Sequence, residues 1–143
     1  GEAPGKDEDA QGEPFVGRAG RLLNEMIFSL DLCREEIFIA NILKCRPPNN
    51  RDPKASEVDQ CFSYLEQQVQ FIEPKIIIAV GKVAAQNLLG TDQTMSQLRG
   101  RVHYFGAIKI PLVVFYHPAY LLRSPSQKPK AWQDLILAKQ MIS

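Results

Sequence analysis

The sequence predicts an α/β fold: a three-layer sandwich in which helices flank a mostly parallel central sheet. Three observations predict it. Ile76–Val80 and Leu112–Tyr116 are short, continuous apolar runs rich in β-branched residues, the pattern of strands covered on both faces. Segments with apolar residues at helical spacing alternate with such runs. Polar or turn-forming residues stand where the runs end, and ligands of such sheets sit beyond the carboxyl ends of the strands.

The elements follow in order. Residues 6–17 read as a polar loop punctuated by Gly12, Pro14 and Gly17. Arg18–Leu30 reads as a helix, because Leu22, Leu23, Met26, Ile27 and Leu30 share one face. Ile37–Ala40 is a short apolar run bounded by charge, hence a buried strand that ends at Asn41. Residues 46–55 are rich in proline and charge and read as a loop. Ser56 suits the N-cap of the next helix, with Glu57 and Asp59 in its first turn. Val58, Cys61, Phe62, Leu65, Val69 and Ile72 form that helix's apolar stripe, and Pro74 ends it. Ile76–Val80 is the clearest strand, Gly81 the turn after it, and Lys82–Leu89 a helix. Residues 90–100 read as a loop, His103–Phe105 as a short strand, Leu112–Tyr116 as a buried strand ending at His117, and Ala131–Ile142 as a final helix.

The 143 residues suit a single domain spanning 1–143, long enough to build a core. The composition is that of a globular protein, with no signal peptide and no apolar run of membrane-spanning length. A net charge of +1 excludes a strong overall basic field, so nucleic-acid binding requires a local patch. Basic residues gather at Arg46, Arg51 and Lys54, at Arg99 and Arg101, and at Arg123, Lys128 and Lys130. For any one of these, solvated surface charge is the plainer reading. Three cysteines argue against a disulfide framework and leave core thiols, metal ligands or reactive groups.

Two short motifs stand at opposite ends of the chain. Gly1-Glu2-Ala3-Pro4-Gly5 and His117-Pro118-Ala119-Tyr120-Leu121-Leu122-Arg123 each fix a turn with glycine or proline and hold one ionisable side chain there. Facing each other across one cleft, they bring a carboxylate and an imidazole together, a pair suited to acid, base or ion-stabilising chemistry. Between them stand Glu13-Pro14-Phe15-Val16-Gly17 and Asn41-Ile42-Leu43-Lys44-Cys45-Arg46-Pro47-Pro48.

In this order and spacing the four motifs resemble the family 4 uracil-DNA glycosylases, the iron–sulfur branch of that superfamily. The resemblance spans Gly1 to Arg123. The family has a first strand and two cysteines ahead of its first motif, whereas this chain begins inside that motif. The resemblance implies a monomeric DNA-repair enzyme, cytoplasmic and nucleoid-associated in the prokaryotic manner. It would flip uracil out of DNA and hydrolyse the N-glycosidic bond, leaving an abasic site. Removing a base demands extrusion from the stack, recognition of the uracil edge, and stabilisation of a cation-like sugar and an anionic leaving group.

Residue by residue, the resemblance makes Glu2 the carboxylate that orients water and favours the cationic sugar. The plainer alternative is a solvated turn carboxylate. His117 would donate a hydrogen bond to uracil O2; a core histidine before a proline turn is the alternative. Asn41 offers a carboxamide that complements uracil N3–H and O4 and rejects the reversed pattern of cytosine, unless it only bonds local backbone. Phe15 would stack on the flipped base, or else anchor its own loop. Ala3 lets the backbone approach the base, and Glu8 would crowd the 5-methyl group of thymine. Tyr120, Leu121, Leu122 and Arg123 would form a wedge and phosphate contact beside the DNA, with Arg46 and Arg51 also facing it. The alternative has the leucines packing a helix start into the core. His103 lacks such a motif and reads as structural or surface.

Cys45 and Cys61 match two of the family's four ligands to a 4Fe-4S cluster, and Cys33 matches none. The cluster is therefore expected in a longer form, to brace the Arg46–Lys54 loop, and to be absent or incomplete in the chain as given. Cys61 also sits on an apolar stripe, where a buried thiol is ordinary. Two thiolates with other ligands could hold zinc, although no spacing supports it. Two further function classes remain open on the sequence. One is a non-catalytic module binding uracil or single-stranded DNA, which has no need of Glu2. The other is a hydrolase of small nucleosides, which has no need of basic loops or a wedge.

Overall fold

The structure is a computed structural model that describes residues 17–32, 37 and 66–142. Among these residues the elements are α1 (Arg18–Phe28), β1 (Ile77–Val80), α2 (Lys82–Leu89), α3 (Met95–Leu98), β2 (Val102–Phe105), β3 (Ile110–Phe115), α4 (Pro118–Arg123) and α5 (Lys128–Ile142). A helical stretch also covers 66–72. It closes with Glu73 at φ +50°, just before Pro74, which disfavours a right-handed helical residue ahead of it. Of the strand expected at Ile37–Ala40 only Ile37 is described, packed beside Leu23, Ile27 and Val80, and the start of the helix expected from Ser56 lies outside the described residues.

The described sheet is mixed, in the order β1-β3-β2. β1 runs parallel to β3, pairing Ile77 with Leu112 and Val80 with Phe115. β2 runs antiparallel to β3, pairing Val102 with Val113 and Phe105 with Ile110. A tight turn joins this hairpin, with Gly106 at φ +75° and Lys109 at φ +54°.

Strand alternation assigns the core. Val113 and Phe115 face one way and pack with Met26, Leu30, Leu121, Ala131, Leu135 and Ala138 from α1, α4 and α5 and the turn after α1. Leu112 and Val114 face the other way and pack with Ala84, Ala85 and Leu98 from α2 and α3. β3 is thus buried on both sides, which explains its unbroken apolar run. On β1 the same alternation puts Val80 against Leu23 and Ile27 of α1, and Ala79 against α2. The alanines let α2 lie close to the sheet. At the far end of the 66–72 stretch Phe71 and Ile72 are exposed, so the apolar stripe expected there does not extend into the core at its last turn.

The segment read as a loop over residues 90–100 contains α3. Its first turn is a capping box: the Gln97 N–H donates to Thr94 Oγ1, and the Thr94 N–H donates to Gln97 Oε1. The Thr94-Met95-Ser96-Gln97 pattern was legible as a helix start, but four residues carry too little periodicity to reveal themselves. Burial of Leu98 holds the turn in place.

Arg99, grouped by sequence with the basic surface, is instead engaged inside the protein. Its guanidinium and Nε bond both oxygens of Asp134 at 3.1 Å, and it also donates to the Lys130 carbonyl and to Gln133 Oε1. Asp134 is the buried charged residue of the described core, at 0% exposure. Its burial pushes its pKa upward, while Arg99 and the Gly100 N–H pull the other way. A buried carboxylate tolerates such a position only when paired in this way.

Candidate active site

The parallel pairing of β1 and β3 brings their carboxyl ends side by side, with Val80 opposite Phe115. The chain leaves β1 through Gly81 and leaves β3 through Tyr116 and His117. The Gly81 N–H donates to the Phe115 carbonyl at 2.9 Å, tying the two exits together. Gly81 adopts φ +93° and ψ 168°, a conformation open in practice only to glycine. Its bare α-carbon faces the histidine, and a Cβ placed there would lie 3.4 Å from both Cβ and Cδ2 of His117.

His117 is also the N-cap of α4. Pro118 occupies the first helical position, where its missing N–H costs nothing. The Ala119 N–H donates to His117 Nδ1 at 3.0 Å. An Nδ1 that accepts must carry a lone pair, so the proton of the neutral ring sits on Nε2. The ring is partly buried, and desolvation is the largest cause of a pKa lowered from 6.5 to about 4, with nearby positive charge adding to it. At neutral pH the group at the end of β3 is therefore an uncharged imidazole with a defined tautomer. It can present a hydrogen-bond donor without bringing a charge.

The remaining residues of the motif divide by burial. Leu121 is 2% exposed and belongs to the core, so its side chain is committed to packing. Tyr120 and Leu122 are half-buried and Arg123 is exposed. The Tyr120 ring stacks on Tyr116 with centroids 5.0 Å apart. His103 bonds the Leu98 carbonyl through Nε2 at 2.7 Å, in keeping with the structural reading of that residue. Glu2, Ala3, Glu8, Phe15, Asn41, Cys45, Arg46, Arg51 and Cys61 lie outside the described residues. Among the described residues no group of three or more His, Cys, Asp or Glu side chains could hold a metal ion, and no helix is long and apolar enough to cross a membrane.

Sequence reasoning missed three contributors to this site. Gly81 reads in the sequence as the turn after a buried strand, but nothing there shows that it abuts His117. The Ala119 N–H carries no side-chain signature at all. Tyr116 read as the last residue of a strand, and nothing in the sequence ties it to Arg99.

Comparison with known proteins gives a consistent result. The family model for the uracil DNA glycosylase superfamily matches residues 1–137. The type-4 uracil-DNA glycosylase of Archaeoglobus fulgidus is 46% identical over 140 residues, covering 94% of this chain and 70% of the relative. That of Pyrobaculum aerophilum is 39% identical over 143 residues, covering 96% and 73%. That of Sulfurisphaera tokodaii is 42% identical over 141 residues, covering 94% and 64%.

Proposed function

The chain belongs to the type-4 uracil-DNA glycosylases of the uracil DNA glycosylase superfamily, and from that premise we propose that it excises uracil from DNA by hydrolysing the N-glycosidic bond. The observation that carries the mechanism is the Ala119 N–H bond to His117 Nδ1, which leaves the ring proton on Nε2.

As the bond between C1′ and uracil N1 breaks, the electron pair goes to the base and negative charge develops on O2. His117 donates its Nε2–H to that oxygen. A neutral donor suits this task, because full protonation of the leaving group is unnecessary when a fixed dipole already meets the developing charge. The lowered pKa keeps the donor in this form throughout the neutral range. The sugar becomes cation-like, and water adds to C1′ with Glu2 orienting it and accepting its proton. The products are an abasic site and uracil, whose anion takes up from solvent a proton equivalent to the one that Glu2 then releases.

The base must first leave the stack. Asn41 reads the uracil edge, Phe15 stacks on it, Ala3 admits it, and Glu8 excludes a 5-methyl group. Leu122 is the motif residue left to fill the vacated space, since Leu121 is committed to the core and the Tyr120 ring is stacked on Tyr116. Arg123, Arg46 and Arg51 meet the phosphates. The reading carries with it a three-layer sandwich around a mostly parallel sheet, in a monomeric enzyme of the cytoplasm. Cys45 and Cys61 would supply two of the four ligands of a 4Fe-4S cluster in a longer form of this protein. Only three thiols occur in this sequence where such a cluster takes four, and no step of the reaction is routed through it.

Single-turnover excision from a uracil-containing oligonucleotide tests the reading. His117→Ala and Glu2→Gln should each slow cleavage by about 100-fold or more while DNA affinity changes little. Wild-type rates in both variants, or no abasic product from the unaltered chain, would overturn it.

A further inference from the structure

Among the described residues, the turn that carries His117 is braced by ring contacts that reach deep into the protein. Tyr116 stands immediately before the histidine, and Tyr120 three residues after it. Their stacked rings, 5.0 Å apart with 30° between planes, close over the turn and tie its entry to the first turn of α4. Tyr116 is buried, at 7% exposure. The guanidinium of Arg99 also lies over the Tyr116 ring, 6.0 Å from its centroid. That guanidinium is itself immobilised by both oxygens of the fully buried Asp134 and by two further acceptors on α5.

We propose that Tyr116, held by the Tyr120 ring and by the Arg99–Asp134 pair, is a positioning residue that aims the His117 imidazole. The inference rests on the glycosylase reading for its catalytic consequence, though not for its geometry. The bond from the Ala119 N–H to Nδ1 needs the backbone of residues 117–119 held in one conformation. If the turn opened, Nδ1 would lose that donor, the two neutral tautomers would approach one another in energy, and Nε2–H would no longer be fixed. A desolvated, ion-paired arginine is a firm support for an aromatic ring, and one that this surface could have replaced with ordinary apolar packing.

The test has two arms. In the first, 15N NMR of the histidine ring is recorded on the unliganded protein at pH 7. The wild type should show His117 as the Nε2–H tautomer, Tyr116→Phe should match it, and Tyr116→Leu should show a tautomer mixture. In the second, single-turnover excision should fall about 10- to 100-fold in Tyr116→Leu, because small misplacements of a reacting group cost that much. DNA affinity should hold, and Tyr116→Phe should keep the wild-type rate. In a His117→Ala background, Tyr116→Leu should cause no further loss. If Tyr116→Leu does not fold, Arg99→Met combined with Asp134→Leu removes the support without leaving a buried charge alone, and is read in the same way. An unchanged His117 spectrum in the folded variant overturns the proposal. So does a loss of rate that adds fully to that of His117→Ala. An inactive wild type would overturn the glycosylase reading instead, with the NMR arm still deciding the role of Tyr116.

Discussion

Gly81 and His117 touch at the carboxyl ends of two neighbouring parallel strands: a Cβ on Gly81 would stand 3.4 Å from Cβ and Cδ2 of the histidine. The glycine is therefore part of the floor on which the imidazole rests. Gly81→Ala adds a methyl group at that contact and forces an L-residue to φ +93°. The backbone strain should cost about 1–3 kcal/mol, read as a lower denaturation midpoint. Excision should fall further than that loss of stability explains, because backbone relaxation at residue 81 disturbs the surface against which the ring rests. A variant with wild-type kinetics would separate Gly81 from the site.

His117 should titrate far below an ordinary histidine. Its folded pKa, about 4, lies under the unfolded value of 6.5 because burial disfavours the charged ring. Between those values the unfolded chain binds a proton that the folded chain does not. Stability is therefore fully present above pH 6.5 and declines as pH falls toward 4. The excision rate should show no loss of activity from His117 between pH 8 and pH 6, since the neutral ring is the working form. Ring-proton NMR across this range checks the titration directly, and a midpoint near 6.5 would refute it.

The two leucines of the motif should behave differently. Leu121→Ala empties a buried site and should destabilise the fold by about 2–5 kcal/mol. Leu122→Ala should cost only about 1 kcal/mol. It should, however, slow excision from duplex DNA more than from single-stranded DNA, because only a duplex leaves a gap to fill. Chemical denaturation and the ratio of the two rates distinguish the pair. Equal stability losses would mean that the two leucines are equally buried.

Asn41→Asp should weaken discrimination between uracil and cytosine, because a carboxyl group presents a different donor and acceptor pattern to the base edge. Paired excision assays on oligonucleotides carrying each base measure it. Unchanged rate and selectivity would remove Asn41 from base recognition.

Much was legible from residue order alone. The runs at Ile76–Val80 and Leu112–Tyr116 announce buried strands, and the structure places strands at Ile77–Val80 and Ile110–Phe115. The helix at Lys82–Leu89 was bounded by Gly81 and Gly90, and it occupies that span. The helix expected at Arg18–Leu30 runs over Arg18–Phe28. These succeed because apolar periodicity and glycine punctuation are local, and local signals survive in one dimension. α3 escaped because a four-residue helix has a cap but almost no period.

The sequence by itself determined the family, the α/β class and the identity of the group at the end of β3. His117-Pro118 can hardly be anything but a turn carrying an imidazole. Only the tertiary structure decided what state that imidazole is in. The tautomer depends on a backbone N–H from Ala119, and the charge on burial that no motif encodes. The same holds for Arg99, which looks like surface charge in one dimension. Its partner Asp134 lies 35 residues away, and only folding of α5 over the sheet makes the pair a buried support beside Tyr116. Residue type is a local property, but solvation and partnership belong to the packed chain, and it is these that set a side chain's chemistry.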